Sequence, residues 1–290
     1  MKEIETITVL GGGLLGGSLA MALQDQRETK LWSRREESVE AAQSLGIRGA
    51  TSDLKSALAG ADLVILSVPV GAMRPLVEMA LESGLGPSSL VTDVGSVKRV
   101  VHGNPGALLK QKGIPFIGGH PMAGSEQRGV EAATKDLFSG AMCFLTDDDQ
   151  VGEPWAQALE AFWRELGCRV SWTDASSHDQ LVARISHFPH LIAAAAATVS
   201  LKDPADARFG GGGLRDTTRV AGGDPDMWTE ILMENREAVG DSVAEALAIL
   251  TDIQESLKSG NQEAVRSWLE RASELHRISR SSENQTEIIS

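Results

Sequence analysis

The chain has 290 residues, about twice the usual size of one domain, so we expect two domains with separate cores. Its net charge of −13 argues against a nucleic acid partner and an anionic membrane surface, and its apolar runs are shorter than the roughly 20 residues that span a bilayer. The two cysteines show no CxxC spacing and the acidic N-terminus resembles no secretory signal, so we expect reduced thiols in a cytoplasmic protein.

The first half of the chain, residues 7–173, alternates short β-branched runs with helical patterns, which is typical of a doubly wound parallel sheet. The predicted strands are 7–10, 30–32, 63–68, 90–93, 116–118, 142–146 and 169–172. We therefore predict an α/β fold whose N-terminal domain, residues 1–174, is a Rossmann-type dinucleotide-binding domain.

Gly11, Gly13 and Gly16 form a GxGxxG motif between the first predicted strand and an apolar helix. In this context the first glycine permits a tight turn, the second lets the backbone approach a pyrophosphate, and the third lets helix and strand pack closely. Leu14 and Leu15 open the helix, whose N-terminus would hold the phosphates. The alternative is a glycine-rich turn that binds no cofactor.

The second predicted strand ends without the acidic residue that usually binds the adenosine ribose of NAD. Ser33, Arg34 and Arg35 follow it instead, and two guanidinium groups would neutralise the 2′-phosphate of NADP. We predict NADP as the cofactor, with NAD as the alternative if the arginines only form a solvated turn. Pro69 and Gly95, which follow the third and fourth predicted strands, are expected beside the nicotinamide half.

After residue 174, alanine-rich and leucine-rich segments at helical spacing predict an all-α C-terminal domain over residues 175–290. The third of its predicted helices is expected to be bent or interrupted, and the polar tail 279–290 is expected to be frayed. The predicted helices are 176–201, 216–221, 227–257 and 261–276.

His120 is the leading catalytic candidate. An imidazole, with an ordinary pKa of about 6.5, can take a proton from a substrate hydroxyl at neutral pH while a nicotinamide accepts the hydride. Four further clusters accompany His120, namely 93–98, 186–190, 216–221 and Trp228. Together with the glycine loop, these motifs resemble the prephenate and arogenate dehydrogenase family of tyrosine biosynthesis over essentially the whole chain.

This resemblance implies an oxidative decarboxylation, in which hydride leaves the ring carbon that bears the hydroxyl, CO₂ is lost and the ring becomes aromatic. It implies that His120 polarises or deprotonates the ring hydroxyl and that Ser96 contacts the same hydroxyl. Ser96 could also be the N-cap of a helix that begins at Val97, and the two roles are compatible.

The resemblance also implies that Arg219 clamps a substrate carboxylate, because the planar guanidinium group matches a carboxylate. The alternative for Arg219 is a surface ion pair with Asp216, which would otherwise cap the helix or orient Arg219. Glu126 would lie near the entrance of the active site, or else in a solvated loop.

His187 and His190 flank a proline, and the resemblance places one of them near the substrate carboxylates. The presence of His190 favours prephenate over arogenate, because some arogenate-using relatives lack this second histidine. Trp228 would lie near the substrate or in the core. We expect no metal, since no Cys or Glu stands at ligand spacing from the two histidines and hydride transfer needs none.

Family members bury the helices of this second domain between subunits, so the resemblance implies a homodimer. The apolar face at Ala244, Leu247 and Leu250 would need such a cover. Two other functions stay open. One is a β-hydroxyacid dehydrogenase with a lysine base on a C-terminal helix, and the other is a non-catalytic sensor that binds NADP.

Overall fold

The computed structural model describes residues 3–125 and 127–287, and the side chains of residues 3–125 and 127–280. The chain consists of two compact units, Met1–Val239 and Gly240–Ser290. Residues 175–239, which were predicted as part of a separate helical domain, belong to the same unit as the sheet. Within the described residues, no helix is both long and apolar enough to cross a membrane.

The first unit is built on an eight-stranded sheet in the order β3-β2-β1-β4-β5-β6-β7-β8. All neighbouring strands are parallel except β6 and β7, which are antiparallel. This arrangement confirms the predicted Rossmann-type α/β fold. The strands are β1 (Thr6–Leu10), β2 (Glu28–Trp32), β3 (Ala50–Thr51), β4 (Leu63–Leu66), β5 (Leu90–Asp93), β6 (Phe116–Pro121), β7 (Met142–Thr146) and β8 (Arg169–Trp172).

Helices pack on both faces of the sheet, because the core divides into two clusters of apolar side chains. Leu63 and Ile65 lie in the cluster beneath α1, α2 and α7, whereas Val64 and Leu66 lie in the cluster beneath α3, α4 and α6. Successive side chains of a strand point to opposite faces, so a central parallel strand needs a continuous apolar run. The helices are α1 (Leu14–Leu23), α2 (Glu36–Ser44), α3 (Leu54–Leu58), α4 (Val70–Glu82), α5 (Arg99–Val101), α6 (Ala107–Gln111) and α7 (Glu153–Glu165).

Strands β3 and β6 depart most from the predictions, while β1, β2 and β4 differ from their predicted bounds by one or two residues. The two-residue strand β3 was not predicted, and β6 extends to Pro121 although its strand pattern ended at residue 118. The extension has a clear cause, because β6 pairs with β5 only at its start and then pairs antiparallel with β7, where His120 lies opposite Phe144. His120 therefore stands on a buried strand rather than on a loop.

The predicted helix 176–201 is one continuous helical run with a π-helical turn in its middle. It comprises α8 (Ala175–Val182), the π turn Ala183–His187 and α9 (Phe188–Ser200). Pro189 stands at the start of α9, and a proline inside a helix cannot donate the usual i−4 hydrogen bond. The wider turn precedes this missing donor and ends at His187.

The remaining helices also depart in part from the predicted bounds. The predicted helix 216–221 begins earlier, as α10 (Gly212–Thr218), and continues as the 3-10 turn Arg219–Gly222. The predicted interruption of the third helix is confirmed, because Asn235 separates α11 (Pro225–Glu234) from α12 (Arg236–Ser259).

The prediction that the last helix ends at residue 276 is wrong, because α13 (Gln262–Glu287) continues past it. Residues 288–290 of the predicted frayed tail lie outside the described residues. No glycine or proline, the usual helix breakers, stands between residues 277 and 287. In the second compact unit, Gly260 turns the chain between α12 and α13 with φ +68, a conformation that favours glycine.

Candidate active site

The glycine loop between β1 and α1 has the close contacts that require glycine. Gly11 has φ +130, its backbone N–H donates to the Trp32 carbonyl over 2.9 Å, and a side chain there would overlap the Ser67 carbonyl oxygen. A side chain at Gly16 would overlap the carbonyl oxygen of Gly11. The turn and the helix packing therefore both exclude larger residues.

Gly13 differs, because a side chain there would meet only open space. Gly13 is the N-cap of α1, which begins with Leu14 and Leu15, and it supplies no side-chain hydrogen bond to the first turn. The helix N-terminus therefore leaves room and backbone donors for an anionic ligand. These residues fit the pyrophosphate of a dinucleotide.

Ser33, Arg34 and Arg35 connect β2 to α2, on the carboxyl-end side of the sheet. The Ser33 Cβ packs close to Gly12, and both arginine side chains are exposed. Among the described residues, no carboxylate forms an ion pair with Arg34 or Arg35. The loop thus presents two exposed guanidinium groups beside the glycine loop.

Pro69 and Gly95 follow the paired strands β4 and β5. Pro69 is the N-cap of α4, and a side chain at Gly95 would lie about 3 Å from the Val70 side chain, so the two loops are in contact. The backbone N–H of Gly95 donates to Asp93 Oδ2 over 2.8 Å. The structure therefore brings these two predicted cofactor contacts together.

His120 is 7% exposed and lies in a chain of polar side chains that sequence reasoning did not include. Its Nδ1 lies 2.9 Å from Nε2 of His178, and Nδ1 of His178 lies 2.8 Å from Oδ1 of Asp179. Both His178 and Asp179 are buried, on helix α8.

Asp179 also caps the helix that follows Ser96. Its two carboxylate oxygens accept the backbone N–H groups of Lys98 over 2.7 Å and of Arg99 over 2.9 Å. The expectation that Ser96 caps a helix from Val97 is therefore wrong, because α5 begins at Arg99 and Asp179 supplies the acceptor. Ser96 itself is half-buried in the loop that leads to this helix.

Lys98 forms a completely buried ion pair with Asp93. The Asp93 carboxylate also accepts the backbone N–H groups of Gly95 over 2.8 Å and of Gly119 over 3.1 Å. Such additional donors satisfy oxygens that water cannot reach. The pair therefore fixes the loop after β5 to the residue directly before His120.

The surroundings of His120 disfavour its protonation. Burial holds the pKa of His120 well below its usual 6.5, and the neighbouring His178, Lys98 and His187 lower it further. Burial likewise lowers the pKa of His187 to about 4. Both imidazoles are consequently neutral at pH 7, and a neutral imidazole has one nitrogen that can accept a proton.

His187 and His190 face different partners. The side-chain amide of Asn235 donates to the Asp179 carbonyl over 2.8 Å and lies 3.2 Å from His187 Nδ1, so it links His187 to the chain that ends at His120. His190 stacks on Trp228, which is half-buried rather than a core residue. Burial lowers the pKa of His190, and a hydrogen bond with the Val220 backbone opposes this effect.

Arg219 and Asp216 are both exposed, at the start of the 3-10 turn and on α10. Helix α9, which carries His190, packs against both of these elements. Glu126 lies outside the described residues. Among the described residues, no group of three His, Cys, Asp or Glu side chains is placed to hold a metal ion.

Sequence reasoning missed His178, Asp179 and Asn235 as parts of the site, and it included Asp93 and Lys98 in a motif without giving either a role. One signal was available for His178 and Asp179, because they follow the N-cap Asp174 on a short helix whose inner face is otherwise apolar. Asn235 gave no such signal, since it stands between two helices.

Comparison with known proteins agrees with this fold. The family model "Prephenate dehydrogenase, nucleotide-binding domain" matches residues 19–172, and the model "Prephenate dehydrogenase, dimerization domain" matches residues 174–271. The chain is 31% identical over 273 residues to prephenate dehydrogenase of Lactococcus lactis subsp. cremoris, which covers 92% of this chain and 75% of that protein.

Solved structures give the same result. Prephenate dehydrogenase from A. aeolicus, in complex with hydroxyphenyl propionate and NAD+, is 28% identical with a TM-score of 0.84, covering 94% of this chain and 97% of that chain. Synechocystis arogenate dehydrogenase is 30% identical with a TM-score of 0.77, covering 92% of this chain and 96% of that chain.

Proposed function

We propose the reaction of this chain from one premise: the chain belongs to the prephenate dehydrogenase family, and it is an oxidoreductase. The proposed substrate is prephenate, with arogenate as the alternative. The proposed reaction is an oxidative decarboxylation that converts prephenate to 4-hydroxyphenylpyruvate. The observation that carries this proposal is His120, a buried and neutral imidazole that directly follows Gly119, whose backbone N–H donates to Asp93 at the end of β5.

His120 is proposed as the base. Its Nδ1 is engaged with His178, so Nε2 is the nitrogen left to accept the proton of the ring hydroxyl. As that proton moves to His120, hydride departs from the carbon that bears the hydroxyl. The bond to the ring carboxylate then breaks, CO₂ is released, the electron pair of that bond makes the ring aromatic, and the resulting phenolate takes the proton back. Ser96 is proposed to contact the same hydroxyl. A bound nicotinamide supplies the hydride acceptor.

The proposed cofactor is NADP, with NAD as the alternative. Arg34 and Arg35 support NADP because both are exposed beside the glycine loop, where their guanidinium groups can neutralise a 2′-phosphate. Gly11, Gly13 and Gly16, with Leu14 and Leu15, are proposed to hold the pyrophosphate. Ser33, Pro69 and Gly95 complete the proposed cofactor contacts.

Arg219 is proposed to bind a substrate carboxylate. Its turn lies against α9 and the Val220 backbone meets His190, so the turn that carries Arg219 lies beside the stacked His190–Trp228 pair. Asp216, His187 and Glu126 complete the proposed substrate contacts. A substrate with two carboxylates needs such a cation, since the chain as a whole carries a charge of −13.

We also propose a homodimer formed through the helical half of the chain. The second compact unit exposes several large apolar side chains, and the family model that matches residues 174–271 describes a dimerization domain. Exposed apolar residues of this unit are Leu247, Ile249, Leu250, Leu257, Trp268, Leu269, Leu275 and Ile278. The proposed functional domains are residues 1–174 for the cofactor and 175–290 for substrate and dimerisation.

The test is the initial rate of reduced-cofactor formation with prephenate and with arogenate, each with NADP and with NAD. We expect the highest kcat/KM with prephenate and NADP. Turnover of arogenate alone would leave the proposed role of His120 standing but would show that the substrate is arogenate. A preference for NAD would overturn the proposal that NADP is the cofactor. No turnover in any of the four assays would overturn the proposed function.

A further inference from the structure

In the hydrogen-bonded series Asp179–His178–His120, the donor and the acceptor of each hydrogen bond can be assigned. Both oxygens of the Asp179 carboxylate already accept backbone N–H groups, and a carboxylate offers only acceptors. Nδ1 of His178, which lies 2.8 Å from Asp179 Oδ1, must therefore carry a hydrogen. A neutral His178 then has its lone pair on Nε2.

The hydrogen bond between His178 and His120 sets the tautomer of the His120 imidazole. Nε2 of His178 lies 2.9 Å from Nδ1 of His120, so an acceptor at His178 requires a donor at His120. A neutral His120 with a hydrogen on Nδ1 has its lone pair on Nε2. The arrangement therefore makes Nε2 the proton-accepting atom.

We propose that His178 and Asp179 are positioning residues for His120, which set its tautomer and hold its ring so that Nε2 carries the lone pair. This inference rests on the proposed role of His120 as the base. The carboxylate also stabilises the positive charge that builds on the His120–His178 pair when the substrate proton arrives, as in other imidazole–carboxylate arrangements.

The burial of these side chains explains why the protein supplies their hydrogen-bond partners. His178 is fully buried, and its ring meets Phe144 and His120 edge to face at 5.6 Å and 5.1 Å. No water competes there for the imidazole nitrogens, so the protein must supply every partner. Helix α8 packs against α5 and β7, which holds Asp179 and His178 against the strand that carries His120.

The first test reads the tautomer directly and needs no substrate. The full-length protein contains six histidines, whose imidazole nitrogens are labelled with ¹⁵N. The ¹⁵N signals that are missing from the spectrum of His120→Gln are those of His120. At pH 8, above the ordinary imidazole pKa of about 6.5, we expect His120 with Nδ1 protonated and Nε2 bare. A His120 protonated on Nε2 would overturn the proposal.

The second test compares two substitutions of His178. In His178→Gln, the amide oxygen can still accept from His120 Nδ1, whereas His178→Leu removes the acceptor. We expect His178→Leu to lower kcat by about 100-fold or more with KM changed by less than about threefold, and His178→Gln to recover at least about tenfold of that loss. Equal losses in the two variants would contradict a positioning role.

The matched control is His102→Gln, which removes another partly buried imidazole of the same unit, whose Nε2 bonds to Thr146 over 2.8 Å. We expect its kcat to stay within about threefold of wild type. If wild-type protein turns over neither prephenate nor arogenate, the proposed function fails, but the ¹⁵N spectrum still decides whether His178 sets the His120 tautomer.

Discussion

His190 and Trp228 stack face to face, with ring centroids 3.6 Å apart and ring planes 9° from parallel. The contact joins α9 to α11 and lies beside the turn that begins at Arg219, because His190 also meets the Val220 backbone. The stack combines the buried His190 with the half-buried Trp228, beside the turn that carries the proposed carboxylate-binding Arg219. Both residues are therefore candidates for substrate discrimination.

Substitution of His190 tests that discrimination. We expect His190→Asn to lower kcat/KM for prephenate more than for arogenate, so that the ratio of the two kcat/KM values changes by at least about tenfold. The reason is that the imidazole is proposed to contact the part of the substrate in which prephenate and arogenate differ. Competition assays with both substrates measure this ratio. An unchanged ratio would remove His190 as the specificity residue.

Arg219 is expected to act in binding. Arg219→Ala should raise the KM for prephenate by at least about 30-fold, or about 2 kcal/mol, while kcat changes little, because an unpaired substrate carboxylate loses its cation in both ground and transition state. Steady-state kinetics measure both constants. The control is Arg215→Ala, an exposed arginine of α10, which should leave KM unchanged; an equal rise in that variant would argue for a general charge effect.

Arg34 and Arg35 are expected to act on the cofactor alone. The Arg34→Ser/Arg35→Ser variant should raise the KM for NADP by at least about tenfold and leave the KM for NAD within about twofold, because only NADP carries the 2′-phosphate. Rates with both cofactors at saturating substrate give the comparison. Equal changes for NADP and NAD would show that the arginines do not bind the 2′-phosphate.

The neutral histidines predict how stability and rate depend on pH. The folded pKa of His187 is about 4 and that of His120 lies well below 6.5, so below about pH 6.5 the unfolded chain binds more protons and stability falls. His187 alone should contribute a loss on the order of 3 kcal/mol between pH 6.5 and pH 4. Urea unfolding at a series of pH values measures this loss.

Like the stability, kcat/KM is expected to fall as the pH is lowered. Burial lowers the pKa of His120, and the neighbouring His178, Lys98 and His187 lower it further, so kcat/KM should be level from about pH 6.5 to 8 and fall only at more acid pH. Midpoints of stability or kcat/KM at or above pH 6.5 would contradict the neutral, buried state of these histidines.

The buried ion pair predicts a large effect on stability. Lys98→Met leaves the Asp93 carboxylate buried with only two backbone donors, and should cost about 3–5 kcal/mol. The exposed pair of Arg74 and Glu78 provides the control, since Arg74→Met should cost no more than about 1 kcal/mol. Urea unfolding curves distinguish the two, and equal midpoints would contradict the role of the pair.

Much of the fold follows from sequence pattern. The run Leu63–Leu66 and the GxGxxG motif predict a buried parallel strand and a dinucleotide loop, because both depend on local periodicity and on glycine geometry. The extension of β6 does not follow, because it depends on antiparallel pairing with β7, a contact between segments that are distant in sequence.

The candidate site also depends on contacts between segments that are distant in sequence. His120 and His187 stand out as residue types within motifs, whereas Asp179 acquires its role only when α8 packs against α5 and β7. A carboxylate that caps a helix 80 residues away in sequence leaves no local pattern. Sequence therefore finds the groups proposed to contact the substrate more readily than the groups proposed to orient them.

The most direct test of the central claim is turnover of prephenate with NADP by His120→Asn beside the wild-type protein. We expect kcat to fall by about 10²- to 10⁴-fold, while the dissociation constant for NADP stays within about twofold, because His120 acts on the substrate proton and not on the cofactor. Wild-type activity in His120→Asn would contradict the account and assign the base to another residue.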